Sequence, residues 1–114
     1  MVHSDEIKKY RFLYHGAGTG KRPNGATYSD RAQIALWGEN GGLIAVLHFC
    51  RDPAFLPDGD TRASNGIVQS YFLAADFPAV VDLLRNEKPL YLKYDDEANR
   101  AWIDSGLEPV GEEE

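Results

Sequence analysis

The sequence contains little cysteine and no long apolar segment, and both shortages exclude classes of protein. Cys50 is the single cysteine among 114 residues, so an intrachain disulfide framework is excluded. No apolar run approaches the ~18 residues that a membrane-spanning helix needs. The N-terminus also lacks the apolar segment of a secretory signal. We therefore expect a cytoplasmic protein that does not contact a membrane.

The chain also lacks internal repeats and any linker rich in proline, glycine or serine that would divide it. Its length is close to that of the commonest single domains. Residues 1–114 are therefore predicted to form one domain. Residues 1–5 and 108–114 are expected to be frayed tails, the second of them acidic.

Positive charge is scarce overall and is concentrated near the N-terminus. The formal net charge is −6. Residues 1–31 carry six basic and three acidic residues, whereas the rest of the chain carries six basic and fifteen acidic residues. A net acidic protein repels nucleic acid at long range, but a local basic stripe can still bind phosphate.

The hydrophobic pattern predicts six strands and one helix. Apolar residues that alternate with polar ones, or short apolar runs bounded by turn formers, are typical of strands. At one place the period changes to i, i+3, i+4, i+7, as in a helix with one apolar face. The predicted strands span residues 7–15, 31–37, 43–50, 66–73, 90–94 and 100–103, and the predicted helix spans residues 76–86.

The element order, four strands, a helix and two more strands, predicts an α+β fold. One helix cannot provide crossovers between many parallel strands, so the sheet of five or six strands should be mainly antiparallel, with the helix packed on one face. The strand at 43–50 is nearly all apolar and is expected to be central, with both faces covered. The order of four strands and then a helix resembles, in architecture alone, the whirly-type single-strand-binding proteins, and no residue role follows from that likeness.

The predicted core combines the inward positions of the strands with the apolar face of the helix. It comprises Ile34, Leu36, Ile44, Val46, Leu47, Val68, Phe77, Val80, Val81, Leu84, Leu92 and Ile103.

Residues 15–22 resemble a phosphate-binding loop only in part. Gly20 and Lys21 fit the nucleotide-binding pattern, but His15 stands where its first glycine belongs, and Arg22 replaces the hydroxyl residue that would bind magnesium. No amphipathic helix follows to direct its N-terminus at a phosphate. We interpret residues 16–30, and likewise 51–65, as long loops.

His48, Cys50 and Asp52 alternate along one strand and provide the side chains of a nucleophilic site. Positions i and i+2 of a strand lie ~6–7 Å apart, beyond hydrogen-bond reach, so a structural role for Cys50 is favoured. The acidic clusters at 58–60 and 95–97 are explained by turn formation. We therefore predict no enzymatic activity, no metal site and no cofactor.

Three hypotheses for function stay open. The first is a small cytoplasmic binding or interaction module that forms a homodimer through its sheet, since aromatic side chains exceed what one helix can cover. The second is single-stranded nucleic-acid binding by the first strand and the glycine-rich loop, where rings stack on bases and cations contact phosphates. The third is an acidic inhibitor or immunity-type protein that binds a basic protein partner. The residues predicted for nucleic-acid binding are Lys8, Lys9, Tyr10, Arg11, Lys21 and Arg22.

Overall fold

A computed structural model describes residues 1–16, 30–108 and 110–111 of the chain. The predicted α+β class is confirmed, with one α-helix and mostly antiparallel strands in the described residues. In chain order the elements are β1 (Val2–Glu6), β2 (Lys9–Tyr14), β3 (Asp30–Trp37), β4 (Leu43–Cys50), β5 (Thr61–Arg62), β6 (Val68–Leu73), α1 (Phe77–Asn86), β7 (Tyr91–Asp95) and β8 (Arg100–Asp104).

The strands form two sheets rather than the predicted single sheet of five or six strands. A five-stranded sheet has the order β2-β3-β4-β6-β5, and a three-stranded sheet has the order β1-β7-β8. Strand β4 is central, as predicted. Only one of its faces is fully covered, because its alternate residues, such as Val46 and His48, are half-buried.

Strands β3 and β4 form the hairpin that the glycine-rich segment at 38–42 predicts. Gly38 N–H donates to the Gly42 carbonyl at 2.9 Å, and Gly41 has φ +81°, a conformation that side chains disfavour. Strands β4 and β6, in contrast, are parallel. The predicted loop between them contains a short 3-10 turn at Pro53–Phe55 and strand β5. This segment is long enough to carry the chain back to the end of the sheet at which β4 begins, so β6 can run in the same direction as β4.

Strand β1 corrects the expectation that residues 1–5 are frayed. It pairs antiparallel with β7, from Val2 opposite Asp95 to Glu6 opposite Tyr91. Its side chains are mostly polar and exposed, so its order comes from backbone pairing with a distant segment. Of the second predicted tail, Pro109 and residues 112–114 lie outside the described residues.

Helix α1 begins at Phe77, one residue from the predicted start, and ends at Asn86 as predicted. Asp76 occupies the N-cap position but makes no side-chain capping hydrogen bond. Val80 is buried, and Phe77, Val81 and Leu84 pack against the core.

The core lies between the five-stranded sheet, the helix and the three-stranded sheet. Six predicted core residues are buried: Ile34, Leu36, Leu47, Val68, Val80 and Leu92. Five more pack against them in part: Ile44, Phe77, Val81, Leu84 and Ile103. The prediction for Val46 is wrong, since it lies on the opposite face, between Ala35 and Gln69 of the neighbouring strands. The core also contains Phe49 and Tyr94, which the prediction omits.

Candidate functional site

Strand β2 places its basic and aromatic side chains on opposite faces of the sheet. Lys9 lies opposite Trp37 and Arg11 lies opposite Ala35, and paired residues in a sheet share a face. Tyr10, between them, points to the other face and packs against the core. The bases and rings that alternate along β2 therefore do not form one mixed surface.

A cavity of about 490 Å³ lies between the start of β2 and the end of α1. Lys8, Lys9 and Tyr10 line it from the β1–β2 connection, and Arg85 and Lys88 line it from the end of the helix. The cavity thus brings together three of the predicted site residues. The two further cations come from a distant part of the sequence.

A second cavity, of about 510 Å³, adjoins the first and shares Lys8, Lys9 and Tyr10 with it. Trp37 and the hairpin residues Gly38, Glu39 and Gly41 complete its lining. Trp37 is half-buried and lines this cavity, so the residue is accessible in part to a ligand. We name the two adjoining cavities the basic groove.

Charge in the first cavity is opposite in sign to that of the whole protein. Four basic and two acidic residues line it, the acids being Glu6 and Glu87. Lys8 is paired with Glu6, with 3.2 Å between Nζ and Oε2. Within the described residues, no carboxylate forms an ion pair with Lys9, Arg85 or Lys88.

Arg11, a further predicted nucleic-acid-binding residue, lines neither cavity of this groove. Arg11 follows Lys9 on β2 by two residues and lies opposite Ala35. Lys21 and Arg22 lie outside the described residues.

The edge strand β2 exposes three consecutive large apolar side chains. Phe12 is 47% exposed, Leu13 is 42% exposed and Tyr14 is 59% exposed. The rings of Phe12 and Tyr14 contact Phe77 of the helix, with centroid separations of 5.8 and 5.1 Å. The Arg31 guanidinium lies 4.7 Å from the centre of the Tyr14 ring. These contacts cover only the inner side of the apolar edge.

His48 lies in a polar network and is not paired with a nucleophile. Its Nδ1 is 2.9 Å from the Asp30 carboxylate, its Nε2 is 2.6 Å from Gln69 Oε1, and its ring stacks on Tyr71. Burial and the nearby Asp30 charge raise the pKa of Tyr71. Both ring nitrogens of His48 are therefore occupied by neighbours, and the sequence pattern did not indicate Asp30 or Gln69 as those neighbours.

Cys50 and Asp52, the other members of the alternating trio, do not join His48. Cys50 is 2% exposed, and burial, with the Asp30 charge, raises the pKa of its thiol. Asp52 caps the following 3-10 turn by accepting from Ala54 N–H at 2.9 Å. A thiol with a raised pKa is a poor nucleophile, which agrees with the structural role expected for Cys50.

The two acidic clusters make structural hydrogen bonds. Asp60 accepts from the backbone N–H groups of Tyr71 and Ala101, at 3.0 and 2.8 Å. Asp96 lies 2.9 Å from His3, and this hydrogen bond lowers the pKa of the Asp96 carboxyl group. Both carboxylates join segments that are far apart in the sequence.

Among residues 1–16, 30–108 and 110–111, no group of three or more His, Cys, Asp or Glu residues is arranged to hold a metal ion. In the same part of the chain no helix is long and apolar enough to cross a membrane. No protein-family model, curated protein or solved structure matches this chain.

Proposed function

We propose that this chain is a small, non-enzymatic cytoplasmic binding module that assembles as a homodimer through the edge strand β2. The observation that carries the proposal is the row of exposed apolar side chains at Phe12, Leu13 and Tyr14. A flat, apolar edge strand offers backbone and side-chain contacts to another strand. The engaged ring of His48 and the buried Cys50 favour binding over catalysis.

The backbone of β2 determines which groups face outward. His15 N–H donates to the Arg31 carbonyl at 2.9 Å, so the backbone N–H and C=O groups of His15 point toward β3. Because backbone groups alternate in direction along a strand, those of Phe12 and Tyr14 point away from β3. No strand within the described residues pairs with this side of β2, so its outward groups can pair with a strand of another chain.

A second copy of β2 fits this edge in a register that places no like charges opposite each other. If a two-fold axis passes through Phe12, each Phe12 faces the other, Tyr10 faces Tyr14 of the second copy, and Arg11 faces Leu13. No like charges then lie directly opposite each other, whereas moving the axis to Arg11 would oppose two arginines. The contact area of one strand is small, so we expect a weak, concentration-dependent dimer.

Light scattering over a range of protein concentrations tests the dimer. The Phe12→Glu variant places two carboxylates opposite each other at the axis, so its mass should stay that of one chain. Phe55→Glu is the matched control, because Phe55 is 40% exposed and lies in the 3-10 turn, away from β2. A wild-type mass of one chain at every concentration would refute the proposal.

A disulfide test distinguishes the register from a general loss of stability. Residues that form a hydrogen-bonded antiparallel pair have Cα atoms ~5.5 Å apart, within the range of a disulfide. Phe12→Cys should therefore form a covalent dimer on mild oxidation, and Phe55→Cys should not. Cys50 is buried and does not interfere. Equal cross-linking of both variants would show random collision and would contradict the register.

A further inference from the structure

The basic groove combines two features that the proposed dimer does not use. Its first cavity contains Lys9, Arg85 and Lys88, three cations without a carboxylate partner in the described residues. Its second cavity contains the half-buried ring of Trp37. Lys9 lines both cavities and lies opposite Trp37 in the sheet, so this cation connects the cavity of Arg85 and Lys88 with that of Trp37.

The helix dipole explains only part of this cluster. Cations are favoured at a helix C-terminus, where Arg85 and Lys88 lie. Lys9 belongs to a different element, 76 positions from Arg85 in sequence, and gains little from that dipole. Its approach to the same cavity creates a local excess of positive charge in a protein of net charge −6.

Three like charges around one cavity repel each other unless an anion lies among them. Glu87 also lines the cavity and moderates this repulsion, but it forms no ion pair with the three cations. Phosphate is an anion that both lysine and arginine bind through charge-assisted hydrogen bonds. An accessible tryptophan ring beside a phosphate site is the arrangement on which nucleic-acid bases stack.

We propose that the basic groove binds a nucleotide unit, with its phosphate among Lys9, Arg85 and Lys88 and its base against Trp37. The two cavities, of about 490 and 510 Å³, are each within the size range of small-molecule sites. The nucleotide unit has two sources, a free nucleotide or a single-stranded nucleic acid.

Tryptophan fluorescence tests the site directly. The chain has two tryptophans, so Trp102→Phe leaves Trp37 as the reporter. The probes are thymidine 5′-monophosphate and a thymidine oligomer of about ten residues, long enough to cover one binding site. Saturable quenching of Trp37 at low salt is expected for at least one probe. No quenching by either probe would overturn the proposal.

Charge reversals separate the groove from general electrostatic attraction. Lys9→Glu combined with Lys88→Glu should weaken binding by about tenfold or more, as expected for lost hydrogen bonds to a charged group. Arg100→Glu is the single-charge control, because Arg100 is an exposed cation on β8. Lys88→Glu alone makes the same change in net charge as that control. If Arg100→Glu weakens binding as much as Lys88→Glu, the proposal fails.

The two probes identify the source, and a competitor tests the role of the ring. Tighter binding of the oligomer, with salt dependence of ~0.7 log–log units for each phosphate contacted, indicates a single strand. Equal affinities indicate a free nucleotide, and both results support the site. Displacement of the oligomer by a glutamate-rich peptide at equal charge concentration would show that the ring contributes nothing, and would overturn the proposal. Repeating the titration with Phe12→Glu separates ligand binding from dimerisation, since Phe12 lines neither cavity.

Discussion

The Asp60 carboxylate connects the two sheets, and its replacement by asparagine should destabilise the protein. One oxygen accepts from Tyr71 N–H on β6, and the other accepts from Ala101 N–H on β8, at 3.0 and 2.8 Å. Asparagine keeps one acceptor oxygen but puts an NH₂ group where the second oxygen was. In Asp60→Asn one of the two backbone donors therefore faces another donor.

The expected loss in the free energy of unfolding comes from the backbone N–H group that is left without an acceptor. A hydrogen bond to a charged group contributes ~1.5–3 kcal/mol, and an unsatisfied buried donor costs ~1–3 kcal/mol. Asp60 is half-buried, so water partly compensates, and we expect a loss of about 2 kcal/mol in the free energy of unfolding. For a chain of this length, that loss lowers the melting temperature by about 8 °C.

Urea denaturation followed by circular dichroism measures this loss. Asp58→Asn is the matched control, because Asp58 is an exposed acid two residues away, and it should change stability by less than about 0.5 kcal/mol. If both variants lose the same amount, the effect comes from net charge or from the loop. The proposed connection between the sheets would then be wrong.

Three further predictions concern backbone space, a thiol and acid stability. Gly59→Ala should destabilise the fold, since its Cβ would lie 2.9 Å from the Asn99 carbonyl oxygen. Gly42→Ala is the control and should not destabilise it, because the space around Gly42 is open. The melting temperatures of the two variants test this prediction. The Cys50 thiol, buried and with a raised pKa, should react with a thiol reagent only in denaturant, and rapid labelling of the native protein would contradict its burial. Hydrogen bonds from Gly106 N–H and Lys93 lower the pKa of the Asp104 carboxyl group. The charged carboxylate therefore stabilises the folded protein above the ordinary carboxyl pKa of about 4, and this stabilisation is lost as the pH falls below that value. Asp104→Asn should therefore lower the urea midpoint more at about pH 7 than at about pH 2, and equal losses at both values would refute this assignment.

The sequence predicted those elements whose signal is local. Helix α1 follows from the spacing of Phe77, Val80, Val81 and Leu84, and the β3–β4 hairpin follows from its glycine-rich turn. In each case the residues that determine the element lie close together in the sequence. Local propensity and local packing therefore point to the same structure.

The elements that the sequence did not predict depend on distant partners. Strand β1 has no apolar alternation, and β7 is far along the chain. The parallel pairing of β4 with β6 likewise leaves no local pattern, because a crossover without a helix resembles an ordinary loop. Periodicity shows that a residue is in a strand, but it does not show which strand lies beside it.

The candidate site was predicted in part for the same reason. Lys8, Lys9 and Tyr10 were identified from their composition, and all three line the basic groove. Trp37 lies in a predicted strand and has no predicted role, and Arg85 and Lys88 lie at or just beyond the end of a predicted helix. Only the three-dimensional arrangement brings these residues to the start of β2.

The pairing of β1 with β7 has a consequence for the order of assembly during synthesis. Strands β2, β3, β4 and β6 all precede Tyr91–Asp95 in the chain, so they are synthesised before the partner of β1 exists. Strand β1 must therefore wait for β7, and the three-stranded sheet closes only after β7 and β8 have been made. A nascent chain that stalls before β7 would therefore display Val2–Glu6 as an unpaired segment, accessible to chaperones and proteases.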